Sequence, residues 1–397
     1  MCNILYSKNS IQMGQKRNSK IFSFQGLRTL AFLCIFLSHT DIVFLASSDL
    51  GAWGVSVFLM LSGFLMLINY YKKDRITSIS LISNFKFSLK KLSKLYSLHI
   101  LLMLTALPFA IRTLQRDNHI IGYGSSILKI VVKMFFNITL TQSFIPHSAI
   151  FYSLNAVAWY LSVCLFLYFS FPYILHFFET RMCRHKAIFL IGFMFMLQII
   201  LCFVSSKVAI SFSDNFTKWF VYIFPVMRLI EFIIGSALGY LFLLTINGGT
   251  RDTDHQPVKK RNWGGLLTDT CLIISLSSIF IMLFITPPKF LWYRLTCRYT
   301  MVNSLLIYCL ACNEGDSSSI IRKIFSFEYF VWLGNLSGNM FLIHQMVIRY
   351  LNVFANIATL QGGIILQISK VFIALLMTIT TALLLNKIAQ KKYVKTK

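Results

Sequence analysis

Charge is scarce in this chain. Only 13% of its 397 residues are charged, against roughly a quarter in a soluble globular domain, which excludes a soluble enzyme of ordinary composition. Acidic groups are scarcer still. Thirteen Asp and Glu stand against 38 Lys and Arg, for a formal net charge of +25. Cysteine is present but not in a framework. The nine cysteines are an odd number, and most sit inside apolar runs. Cys309 and Cys312 form a C-x-x-C with no second pair and no nearby histidine, a pattern that suits small residues packing in a helix better than a metal or redox site. The sequence also lacks an internal repeat of fixed period and any stretch that reads as a soluble domain.

Apolar surface is what the chain has in abundance. Hydrophobic residues make up 56% of it, Phe alone contributes 38, and the mean hydropathy is +0.68. Helices satisfy their own backbone in lipid, and these runs are too continuous for the alternating strands of a membrane barrel. The expected fold is therefore all-α, a polytopic integral membrane protein with about ten transmembrane helices. The spans fall at 27–45, 52–71, 95–111, 156–178, 187–205, 226–246, 266–286, 297–312, 332–354 and 364–386. This divides the chain into a basic leader (1–26), a membrane domain (27–386) and a basic tail (387–397). The basic start and apolar core imitate a secretory signal, with Ala46-Ser47-Ser48 as a cleavage site. Cutting there would leave the next span almost no leader, so the segment is read as retained. Within 112–155, Lys129 and Lys133 lie four apart on one face, the pattern of an amphipathic helix at the interface rather than a span.

A strongly basic chain can bind nucleic acid, but here the cations cluster between apolar runs, as topology signals do. With the N-terminus inside, the inside segments hold 25 Lys and Arg and the outside loops hold nine. Both termini are therefore expected in the cytoplasm, with membrane lipid as a partner and no nucleic acid.

The first span carries Arg28 near its start and His39 eleven residues later. Eleven steps are about three turns, so the two share a face and lie roughly 16 Å apart along the axis. In the charge-derived topology His39 sits toward the outer side. An imidazole there can take a hydroxyl proton, the step that acyl transfer to an alcohol requires. The plainer reading makes Arg28 a boundary anchor and His39 an incidental polar residue. Lys90, Lys91 and Lys94 share a helix face on the cytoplasmic side and could hold a phosphate-rich ligand, although positive-inside retention and anionic headgroups are the plainer explanation. Glu231 is the acidic residue deepest in a span, with Arg228 three positions earlier as a compensating partner. His344 reads as a hydrogen-bonded packing residue or as a base, and Trp159 and Tyr160 as interface-belt aromatics.

Six segments, in order, resemble the membrane-bound acyltransferase-3 family. They are Phe24-Gln25-Gly26-Leu27-Arg28 with His39; Gly54 to Leu65, ending in Ser62-Gly63-Phe64-Leu65; Lys90 to Tyr96; Ala158-Trp159-Tyr160-Leu161-Ser162; Arg228-Leu229-Ile230-Glu231-Phe232 with Gly235; and Leu333-Gly334-Asn335-Leu336-Ser337 through His344. The resemblance covers nearly the whole chain. It implies a membrane O-acyltransferase that uses acyl-CoA, usually acetyl-CoA, as co-substrate with no bound cofactor or metal. The implied acceptor is a glycan hydroxyl, in O-antigen, capsule or exopolysaccharide. It also implies His39 as the catalytic histidine, Arg28 as its motif partner, and Lys90, Lys91 and Lys94 at the donor. Ser62, Gly63, Phe64, Trp159, Arg228, Glu231 and His344 are the supporting motif residues. Two features depart from the family pattern. Lysines replace the usual arginines, which removes the bidentate grip on phosphate. Cys164 and Leu165 stand where many members carry an acidic pair after the Trp element. A multi-pass glycan flippase or polymerase, or a secondary transporter, is the alternative class, although transporters often show repeats.

Overall fold

The computed structural model describes residues 21–40, 42, 49–76, 78–121, 123–208, 214–246, 265–285, 292–314, 316–357 and 363–395. The regular secondary structure among them is helical, with the main helices in the order α1 (Ser23–Ser38), α2 (Leu50–Tyr70), α3 (Leu81–Ile121), α4 (Tyr123–Ile138), α5 (Trp159–Arg181), α6 (Arg184–Val208), α7 (Pro225–Ile246), α8 (Gly265–Phe280), α9 (Arg298–Cys312), α10 (Ile320–Phe325), α11 (Glu328–Ile357) and α12 (Ile364–Lys395). Seven described helices are long and apolar enough to cross a membrane: Leu50–Tyr70, Leu81–Thr113, Ala156–Arg181, Arg184–Val208, Phe216–Ile246, Leu295–Cys312 and Ile365–Ile388. The protein is therefore a multi-pass membrane protein.

The other three expected spans are also helices, of different character. Ser23–Ser38 and Thr268–Leu283 are apolar but shorter than a full crossing, and α11 is long but carries Asn335, Asn339, His344, Gln345 and Arg349 along its length. The amphipathic reading of 126–144 agrees with α4, whose apolar Ile127, Leu128, Val131 and Phe135 are exposed and which is not among the seven. The basic segment before the third span is not all loop, since α3 begins at Leu81 and already carries Lys86, Lys90, Lys91 and Lys94. Residues 1–20, Ala46-Ser47-Ser48 and the cations of 251–261 lie outside the described residues.

Helix α2 forms the centre. Buried positions fill most of its apolar window, whereas α6 and α12 are largely exposed and turn side chains such as Phe189, Phe193 and Phe372 outward. Outward apolar surface on a multi-pass protein faces lipid. Small residues let α2 meet its neighbours backbone to backbone. A Cβ on Gly63 would strike the Phe232 carbonyl, and a Cβ on Gly235 would strike the Met60 carbonyl, so α2 and α7 interlock reciprocally. On another face Trp53 Nε1 donates to Asn303 Oδ1 at 2.9 Å, and Asn303 Nδ2 donates to Ser56 Oγ at 3.1 Å, fastening α9.

Helix α1 runs antiparallel to α2. The Phe24 and Phe64 rings meet edge to face at 5.1 Å, and at the opposite end Gly51 lies against Ser38. No α1 side chain caps its first turn. Glu314 does so instead, accepting from Phe22 N at 3.1 Å and Ser23 Oγ at 2.8 Å. A carboxylate at a helix start satisfies orphan N–H groups and the positive end of the dipole. Helix α11 lies along α1: Thr29 Oγ1 donates to Phe330 O at 2.6 Å, and Gly334 admits the Gln25 carbonyl. That contact sets the register that brings His344 to His39.

Candidate active site

Helix α1 ends at His39, and the end itself fixes the histidine. His39 N bonds Phe36 O at 3.0 Å, closing the last turn. Its Nδ1 lies 2.8 Å from Ile35 O and 3.3 Å from Ser38 Oγ. A carbonyl only accepts, so the 2.8 Å contact assigns the neutral ring's proton to Nδ1 and leaves Nε2 with a free lone pair. His39 is an exposed residue. The arrangement is that of a base whose accepting nitrogen is open to a substrate.

The His344 ring packs against His39 edge to face, with centroids 5.1 Å apart. Phe32, Phe36 and Phe341 lie at 5.9, 6.2 and 5.9 Å from the same imidazole. The wall beside it is the segment leading into α5. Asn155 Nδ2 donates to Leu342 O at 3.0 Å, Val157 N donates to Gln345 Oε1 at 3.0 Å, and Arg349 Nη1 donates to Leu154 O at 2.7 Å. Leu154 has φ 58°, a left-handed conformation that costs energy for a non-glycine residue, and Arg349 holds its carbonyl there. Lys218 lies within electrostatic reach of His39, and its Nζ sits 5.2 Å from the Tyr152 ring centroid.

Arg28 is deeper in the bundle. Its Nη1 reaches Gln25 Oε1 at 3.5 Å, and its buried Nε finds no partner among the described residues. Tyr160 and Tyr168 lie within electrostatic reach of the guanidinium. Tyr160, Cys164 and Tyr168 are successive fourth residues on one face of α5. The Cys164 thiol lies on that face between the two tyrosines, within electrostatic reach of both, and the Tyr168 hydroxyl meets Ser62 Oγ at 3.2 Å. A polar seam therefore crosses the apolar interior between α1, α2 and α5.

Lys91 Nζ lies 4.7 Å from the Tyr70 ring centroid and 5.7 Å from that of Phe87, while Lys90 and Lys94 are exposed. The Phe24–Phe64 contact places Arg28 level with about residue 60 of α2. Tyr70 and Lys91 lie about 15 Å beyond it, and His39 about 16 Å the other way, at 1.5 Å per residue. Lysines, seam and histidine pair thus follow one another over roughly 30 Å, the thickness of a hydrocarbon core.

The remaining motif residues build rather than touch this line. Gly63 seats α7, and Phe64 packs on Phe24 and Phe242. The Trp159 carbonyl accepts from Ser143 Oγ at 2.9 Å, and its ring lies 5.0 Å from that of Tyr222. Arg228 and Glu231 are fully buried and paired at 2.8 Å. Arg228 Nε also donates to Tyr222 O at 2.7 Å, and the guanidinium covers the Tyr222 ring at 4.6 Å. The pair connects to the histidines through a chain of rings, Tyr222, Trp159, Tyr160 and Phe341. Sequence reasoning missed Cys164 and Tyr168 as a seam, although their four-residue spacing from Tyr160 in an apolar run was there to be read. It also missed Lys218, whose approach to His39 depends on tertiary packing alone.

Residues 21–387 match the family described as acyltransferase domain. The chain is 25% identical over 350 residues to acyltransferase MdmB of Streptomyces mycarofaciens, a match spanning 83% of this chain and 79% of that protein. No solved structure matches it.

Proposed function

The chain belongs to the acyltransferase-3 family and is an acyltransferase enzyme, and from that premise we propose that it is an inner-membrane O-acetyltransferase with acetyl-CoA as donor and a surface glycan hydroxyl as acceptor. The observation that carries the reading is His39, with Nε2 free at one end of the polar line and lysines at the other. Ten crossings with both termini cytoplasmic fit the bias of 25 cations against nine. That topology puts the lysines on the side where acyl-CoA is made, and His39 on the side where O-antigen, capsule or exopolysaccharide precursors are displayed.

Lys90, Lys91 and Lys94 attract the phosphates of the donor. Being lysines, they act as point charges rather than bidentate clamps. Arg28, Tyr160, Tyr168 and Ser62 line the interior between donor and acceptor, and Arg28 places a fixed cation there. His39 Nε2 takes the acceptor's hydroxyl proton as the oxygen attacks the thioester carbonyl. The new C–O bond forms, the C–S bond breaks, and the departing thiolate takes up a proton. Arg28 lies too far from His39 to touch the same carbonyl, so it orients the donor. NMR of the surface glycan from cells carrying wild-type protein or His39→Ala tests the reading. O-acetyl signals should be present with the wild type and absent with the variant. Equal O-acetylation at equal expression would remove His39 from the chemistry.

A further inference from the structure

His344 is fully buried. Its Nδ1 lies 3.3 Å from the Met340 carbonyl, which places the ring proton on that nitrogen and leaves Nε2 as an acceptor. That Nε2 has no hydrogen-bond partner among the described residues. An unpaired buried acceptor is destabilising, and native structures rarely keep one without a reason. The aromatic cage of Phe32, Phe36 and Phe341 would be filled better by leucine, so packing does not account for an imidazole.

The neighbour across the ring contact accounts for it. When His39 takes the acceptor's proton it becomes a cation beside apolar rings. Lys218 lies within electrostatic reach and opposes that charge. No carboxylate pairs with His39 among the described residues. The neutral imidazole of His344, one ring contact away at 5.1 Å, is the polar group beside that charge, and its unpaired Nε2 carries the negative end of the ring dipole. We propose that His344 is a positioning residue for His39, its ring contact fixing the plane of the imidazole and its neutral, unpaired Nε2 offsetting the charge of the imidazolium formed during transfer. This rests on His39 being the base. The proton leaves the acceptor oxygen for His39 Nε2, stays on that nitrogen while C–O forms and C–S breaks, and passes to the thiolate, giving ester and free thiol.

The test compares His344→Leu, which keeps apolar volume without an acceptor, with His344→Gln, which returns an acceptor oxygen near the same place. Membranes from expressing cells receive [14C]acetyl-CoA, and label in the glycan and glycolipid fraction is followed. Melting of the detergent-solubilised protein is followed in parallel. His344→Leu should lower kcat on the order of tenfold or more, a part of what acid–base assistance supplies, with KM for acetyl-CoA unchanged. His344→Gln should recover much of that loss. Wild-type kcat in His344→Leu overturns the proposal. So does a glutamine variant no better than leucine at equal melting temperature, or a loss that merely follows unfolding. His39→Ala in the same assay separates the two claims. Inactivity there with full activity in His344→Leu removes the His344 role alone, whereas full activity in His39→Ala removes the functional reading together with it.

Discussion

The Arg228–Glu231 pair offers a stability test whose magnitude follows from its contacts. Both side chains are fully buried, and they meet at 2.8 Å. Arg228 Nη2 and Glu231 Oε1 have no hydrogen-bond partner among the described residues, so each charge depends mainly on the other. Glu231→Gln leaves the guanidinium in the interior without its counter-charge. Breaking a buried pair from one side costs about 3–5 kcal/mol, or about a hundredfold to several thousandfold in the ratio of folded to unfolded protein. Arg228→Met strands the carboxylate and frees the Tyr222 carbonyl that Arg228 Nε holds, so it should cost at least as much. The double variant Arg228→Met/Glu231→Leu removes both charges. Only the Tyr222 carbonyl then remains unsatisfied, at about 1–3 kcal/mol. The double variant should therefore be more stable than either single one. SDS titration of the purified protein, with intrinsic tryptophan fluorescence as the signal, measures all four forms. A glutamine variant as stable as wild type, or a double variant weaker than both singles, would refute the reasoning. Because several side chains separate the pair from the histidines, the double variant should also keep acyl transfer.

Two further outcomes follow from the geometry. Gly235→Leu should prevent α7 from seating on the Met60 carbonyl and should abolish folded protein on size-exclusion chromatography; recovery at the wild-type level would contradict the close approach. Replacing Lys90, Lys91 and Lys94 together by Gln should raise KM for acetyl-CoA severalfold and weaken its dependence on salt, because exposed charges act through screened attraction. Steady-state kinetics at two ionic strengths would show it, and an unchanged KM would take the lysines away from the donor.

The sequence made the class legible because lipid imposes a severe rule: every backbone polar group must be bonded within the chain. Long apolar runs can then be little else than helices, and most of the expected spans reappear within a few residues. Boundaries were less legible where a basic stretch is helical. Lysines do not stop a helix, so α3 starts at Leu81, well before its apolar run. The Arg28–His39 spacing was read on one helix, and α1 runs unbroken from Ser23 to Ser38 with His39 at its C-cap. The partner of His39 was not legible. His344 lies 305 positions away in sequence, and only the seating of Gln25 against Gly334 brings the two rings together. Likewise the sequence showed Arg228 and Glu231 as a pair by their spacing, but the hold on Tyr222 depends on a turn just before α7. The functional weight of the Ser62-Gly63-Phe64 motif was also hidden, because its three residues turn to three different neighbours.

The central claim is that His39 serves an acceptor on the side of the membrane opposite the acyl donor. The most direct measurement uses membrane vesicles of both orientations, supplied externally with [14C]acetyl-CoA and extracted for labelled glycan. Everted vesicles, which expose the cytoplasmic face, should incorporate label with the wild-type protein and none with His39→Ala, and sealed right-side-out vesicles should incorporate none with either. Label transferred equally by His39→Ala, or wild-type transfer from the right-side-out vesicles, would contradict the account.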